Sequence, residues 1–156
     1  MPEQAREDWL ALEKAILQWA GGMGWRLERT GPLRRGVWPV PRLEFLREGV
    51  LTPEIWDQFL AVCPLFESFV AGRREALSHE GIPVKFYQVE KPAWGFAQMA
   101  HTGPAEWVAY CRNRRGWDQL PAESEQAAFA WIGLGFLPPE ARHLHGIITP
   151  GEEPHA

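Results

Sequence analysis

Gly31-Pro32-Leu33-Arg34-Arg35-Gly36, followed closely by Arg42-Leu43-Glu44-Phe45-Leu46, is the stretch that decides the reading of this chain. Glycine at both ends, with proline next to the first, marks a turn. Upstream, Trp25-Arg26-Leu27-Glu28-Arg29 alternates as a half-buried strand does. Downstream, 42–47 reads as a second strand whose start is limited by Pro39 and Pro41. Residues 42 and 44 are two apart, so on a strand Arg42 and Glu44 share a face.

Working outward, Asp8 precedes Trp9, Leu12, Ile16, Trp19 and Ala20 at helical spacing, and Gly21, Gly22 and Gly24 stop the pattern, which predicts a helix over 8–20. Thr52-Pro53-Glu54 supplies an N-cap, a helix-starting proline and a first-turn acid, so 53–62 is expected to be helical, with Pro64 ending it. Strands are expected at 75–78 and 82–89, joined by His79-Glu80-Gly81. The first part of the chain therefore reads as an α/β (α+β) lobe, a small mixed sheet of about four strands with helices packed on it. From Pro92 the pattern turns helical, with helices expected over 94–101, 104–115 and 123–132, and Gly116 and Gly133 as stops. This gives one lobe over 8–90, a helical lobe over 91–145 and a loose tail over 146–156.

A chain of 156 residues is long enough to bury a real core. Its net charge of -4 argues against a protein that coats nucleic acid through overall basicity. The charge is uneven: residues 26–115 carry thirteen basic and ten acidic groups, between acidic ends. Cys63 and Cys111 show no CxxC spacing, and no secretory or transmembrane run opens the chain, so a cytoplasmic location and two buried, unreactive thiols are expected.

Three blocks in order resemble the palm and thumb of the family X (DNA polymerase β-like) DNA polymerases, of nucleotidyltransferase fold. The first is 31–46, similar to a G-S-x-R-R-G turn followed by a D-x-D strand. The second is Val84-Lys85-Phe86-Tyr87-Gln88-Val89 leading to Trp94-Gly95-Phe96-Ala97 and Thr102-Gly103, similar to the family's third-carboxylate strand and its Y-F-T-G-S turn. The third is Phe129-Ala130-Trp131-Ile132-Gly133-Leu134 with Leu137-Pro138-Pro139-Glu140-Ala141-Arg142, similar to an F-x-x-L-G-L-x-x-I-P-P-E-x-R ending. The resemblance covers roughly 25–142 and implies a palm over 8–90 and a thumb-like lobe over 91–145.

The resemblance also shows what is changed. Family X members hold two Mg²⁺ ions on three carboxylates, because the metals must bind both the attacking and the leaving oxygens. The matching positions here are Arg42, Glu44 and Lys85, and a cation at such a position repels a metal as well as failing to ligate it. No catalytic residue, no bound Mg²⁺ and no other cofactor are therefore expected. The phosphate-binding serine is matched by Pro32, the sugar-facing aromatic by Ala100 and the base-contacting asparagine by Val108. Nucleotide- or phosphate-binding candidates that survive are Gly31, Arg34, Arg35 and Gly36 in one turn and Thr102 and Gly103 in the other. Gly103-Pro104 matches a bond often cis in the family, an isomer that proline makes far less costly.

Two readings of Arg42, Glu44 and Lys85 compete. One is a salt-bridged cluster that neutralises an abandoned site; the other is a metal-free anion site in which Arg42 and Lys85 act with Arg35 on a phosphate. The first is favoured, because Pro32 removes donors that an anion needs. Of nine tryptophans, Trp9, Trp19, Trp56, Trp107 and Trp131 sit at helical core spacing, whereas Trp38 lies in a proline-flanked loop where it could stack on a base. Arg112, Arg114 and Arg115 are expected to be solvated cations at a helix C-terminus, and His101, His143 and His145 lack metal-ligand spacing. The expectation is a catalytically inactive binding or scaffolding module, with weakly held nucleic acid or nucleotide, or a protein, as partner and no membrane association. The alternatives are an active transferase with relocated carboxylates, Glu44 joined by Glu28 or another acid, and a protein-interaction module using the vacated cleft.

Overall fold

The computed structural model describes residues 2–143; the expected tail over 146–156, and His145, lie outside them. The chain runs α1 (Pro2–Gly22), β1 (Leu27–Thr30), α2 (Gly31–Arg34), β2 (Leu43–Glu48), α3 (Pro53–Val62), β3 (Phe66–Val70), β4 (Glu75–Ser78), β5 (Pro83–Val89), α4 (Trp94–Thr102), α5 (Ala105–Arg112) and α6 (Glu125–Trp131). This is an α+β fold. The expected turn over 31–36 begins instead as the short helix α2, with the backbone N–H of Arg35 bonded to the carbonyl of Pro32.

The sheet is mixed, in the order β1-β2-β5-β4-β3. β2 is antiparallel to β1 and parallel to β5, and the β3-β4-β5 strands form antiparallel neighbours. The sheet has five strands rather than about four. β3 escapes the period-two test because a bulge between Phe66 and Ser68 breaks its alternation.

One sheet face packs against α1 and α3. Leu12, Ile16 and Ala20 of α1 and Trp56 and Leu60 of α3 join Leu27, Leu43, Phe45, Val84 and Phe86 in one core. α3 starts as its sequence dictates, the Thr52 hydroxyl accepting from Ile55 N–H at 3.2 Å. Arg29 on β1 reaches the same side and forms an ion pair with the buried Glu13 of α1.

A second core lies beyond β5, built from Phe96, Met99, Trp107, Val108, Cys111, Ala128, Phe129 and Ile132. The described residues thus form two apolar clusters that divide between Phe86 and Phe96. α4 belongs to both halves, because it also contacts β1 and β2 on the sheet face opposite α1 and α3. Gly95 permits the close approach of α4 to α6: a Cβ there would lie 2.0 Å from the carbonyl oxygen of Ser124. Cys63 and Cys111 are both buried, and burial pushes the Cys111 thiol up to about 12. Trp131, expected in the core, is 44% exposed; its indole N–H reaches the Pro121 carbonyl at the surface.

Candidate functional site

Arg42, Glu44 and Lys85 come together. The parallel register pairs Glu44 with Lys85, and the antiparallel register on the other side pairs Lys85 with Glu75, so Lys85 stands between two carboxylates on one sheet face. Arg42, just before β2, places Nε 3.4 Å from Glu44 and Nη2 3.3 Å from the Tyr87 hydroxyl. Lys85 donates to the Arg73 carbonyl at 2.7 Å and lies 3.5 Å from Glu75. Burial works against the charge of Arg42, but Glu44 and Tyr87 outweigh it and raise its pKa. Burial, aided by Arg74 and Arg42, lowers that of Lys85 despite Glu75.

Tyr87, two residues after Lys85, stacks on His101 of α4 with ring centres 3.9 Å apart. His101 is pushed down to about 4, first by burial and then by the positive charge of Arg112, Arg74 and Lys85. Its neutrality reports first a buried ring and only then the cations around it.

The arginine turn is used differently. Arg34 donates to both carboxylate oxygens of Glu125 at 2.8 and 2.7 Å and to the Thr102 hydroxyl at 2.9 Å. Arg142 binds the same carboxylate from the other side at 2.7 and 3.0 Å, with its side chain wholly buried among Trp107, Phe129 and Phe136. Burial opposes the charge of Glu125, yet Arg142 and Arg34 overcome it and hold the carboxyl below its ordinary range. Arg34 and Thr102, two of the phosphate-binding candidates, are therefore committed to a joint between the lobes.

Arg35 gives Nε to the Thr102 carbonyl at 2.8 Å, and its other nitrogens make no hydrogen bond to any described residue. Gly103, joined to Pro104 by a cis bond, lies beneath this guanidinium. Gly31 adopts φ +76°, and a Cβ there would come 3.0 Å from the Glu44 carboxyl carbon. Glycine at 31 thus lets the turn sit directly on Glu44. Gly36 is exposed and meets nothing within 4 Å.

Trp38 packs edge-on against Trp9 of α1, ring centres 5.4 Å apart, and is partly buried against the core. That packing accounts for its ring without a base. Arg114 is not a solvated cap of its own helix: its Nε donates to the Ile132 carbonyl at 2.7 Å and fastens the end of α6. Arg112 lies over the Trp117 ring. Glu28 is engaged by Gln98 at 2.8 Å and Arg26 at 3.5 Å. Sequence reasoning missed Glu125, Glu75, Tyr87 and His101 as site residues. The Tyr87 signal was available, since 85 and 87 share a strand face.

No protein-family model matches the chain, and no curated protein is significantly similar to it.

Proposed function

We propose that this chain is a non-catalytic binding or scaffolding module, a family X polymerase-like palm and thumb whose transferase site has been converted into an ion-paired cationic cleft, working in the cytoplasm. The observation that carries the reading is the Glu44-Lys85-Glu75 row with Arg42 beside it. Two Mg²⁺ ions need converging carboxylates free to ligate. Here Lys85 separates the two acids, and each acid already faces a cation. The residues do not fit a two-metal site.

Partners of the cleft are nucleic acid or a nucleotide, held weakly through Arg35 and Arg42, with a protein as the alternative. No helix among the described residues is long and apolar enough to cross a membrane.

Calorimetric titration with a nucleoside triphosphate and Mg²⁺, alongside extension of a gapped DNA, tests the reading. The expected result is no Mg²⁺-dependent binding and no product. Mg²⁺-dependent incorporation would overturn it and favour relocated carboxylates. Salt-sensitive binding of gapped or single-stranded DNA that weakens in Arg35→Ala supports a nucleic-acid partner; its absence supports a protein partner.

A further inference from the structure

α4 covers the sheet face over β1 and β2 but leaves the same face of β3 and β4 open. There a cavity of about 290 Å³ is lined by Val70, Leu77, Phe69 and Pro83, with Arg42 and Glu75 among its polar members. Val70 is 51% exposed and Leu77 37%, so apolar surface faces water next to a guanidinium.

From this juxtaposition we propose that the cavity binds a small amphiphilic carboxylate, its apolar chain against Val70 and Leu77 and its carboxylate on Arg42. The size is at the lower end for ligand sites, which suits one short acyl chain rather than a nucleotide. The charge is complementary to an anion. Glu75 already faces Lys85, whereas the Arg42 guanidinium is 41% exposed and holds its partners only at 3.3 to 3.4 Å. Its Nη1 makes no hydrogen bond to any described residue, which leaves an N–H edge for a carboxylate oxygen. Arg74 adds a third cation to a neighbourhood with two acids, Glu44 and Glu75. Leu43 pairs with Val84, so Arg42, one residue earlier, stands level with Pro83, which lines the cavity with it.

The proposal needs only the open face and Arg42, and stands whether or not the transferase ancestry does; the triphosphate titration tests that ancestry separately. The probes are octanoate and 1-octanol, titrated into the full ¹⁵N-labelled chain. Octanoate is expected to give saturable amide shifts centred on Ser68, Val70 and Leu77, with octanol at least tenfold weaker. Arg42→Met should weaken octanoate at least tenfold while leaving octanol unchanged. Val70→Glu, at an exposed position that tolerates charge, should also weaken octanoate, so a failure of Arg42→Met to fold does not remove the test. Octanol bound as tightly as octanoate, undiminished octanoate binding in a folded variant, or shifts that do not saturate would each overturn the proposal.

Discussion

Between the lobes, Glu125 takes four hydrogen bonds of 2.7 to 3.0 Å from two guanidinium groups, with 4% of its side chain exposed. On the sheet face, Arg42 meets Glu44 at 3.4 Å and Lys85 meets Glu75 at 3.5 Å, with the Arg42 side chain 41% exposed. The same residue types thus serve two ends. In the joint both guanidinium groups bind the carboxylate bidentately, Arg142 wholly buried and Arg34 19% exposed, so the charges cannot be diverted to a ligand without breaking the packing. On the sheet the ion pairs are long and the Arg42 side chain is exposed, so its charge is available, whereas the Lys85 side chain is only 13% exposed and is held by the Arg73 carbonyl at 2.7 Å. Arginine content alone does not mark a phosphate site; whether the guanidinium is already saturated does.

Glu125→Ala is the sharpest way to break this contrast. It leaves Arg142, whose side chain is wholly buried, without its carboxylate, and the expected loss is roughly 4 kcal/mol in urea unfolding. A loss below about 1 kcal/mol would mean the joint is no stronger than a surface pair. The acid limb sharpens the test. The folded-state pKa of Glu125 is lowered, so its contribution is complete above the unfolded carboxyl value and disappears as pH falls through the folded one. Glu125→Gln should flatten that limb.

His101 measures the other region. Its pKa of about 4 when folded, against about 6.5 unfolded, means that the unfolded chain takes up the proton first as pH falls. Stability should therefore decline between about pH 6.5 and 4, by up to roughly 3 kcal/mol. His101→Phe keeps the stack on Tyr87 and should remove this decline. An unchanged pH profile would show that neither burial nor the neighbouring cations depress the ring's pKa in the folded chain.

How much of this was legible along the chain depends on the range of the interaction. Thr52-Pro53 and Pro64 bracket α3 because capping is decided within one turn, and its bounds were read correctly. That Arg42 and Glu44 share a face is legible because side-chain direction on a strand has a strict period. β3 was hidden by its bulge. The Glu125 joint was hidden for a different reason: Arg34 is 91 residues away, and an ion pair across that distance leaves no periodic trace. Glu125 stands in the first turn after the Ser124 cap, where an acid is ordinary and nothing in the sequence singles it out. The turn motif likewise cannot say which way its arginine points, so the pairing of Arg34 with Glu125 was not legible there.

Arg34→Met separates those two meanings of the turn. Glu125 keeps Arg142, so the cost should be less than that of Glu125→Ala, about 2 kcal/mol, and binding of an anionic ligand in the cleft should not change. If stability is unaffected while salt-dependent DNA binding falls, Arg34 is a phosphate contact and Glu125 is held by Arg142 alone.

The smallest effect should come from Arg42→Met, and its smallness is informative. The side chain is 41% exposed and its contacts to Glu44 and Tyr87 are 3.4 and 3.3 Å. An exposed pair of this geometry contributes less than about 1 kcal/mol, and less again in high salt. Methionine also keeps the aliphatic packing of the stem. Urea unfolding at low and at high salt should therefore show a small difference at low salt that vanishes at high salt. A loss of several kcal/mol that persists in salt would mean that Arg42 holds the sheet together as Arg34 ties the lobes through Glu125. The cluster on the open face would then be a structural joint with no charge to offer a ligand.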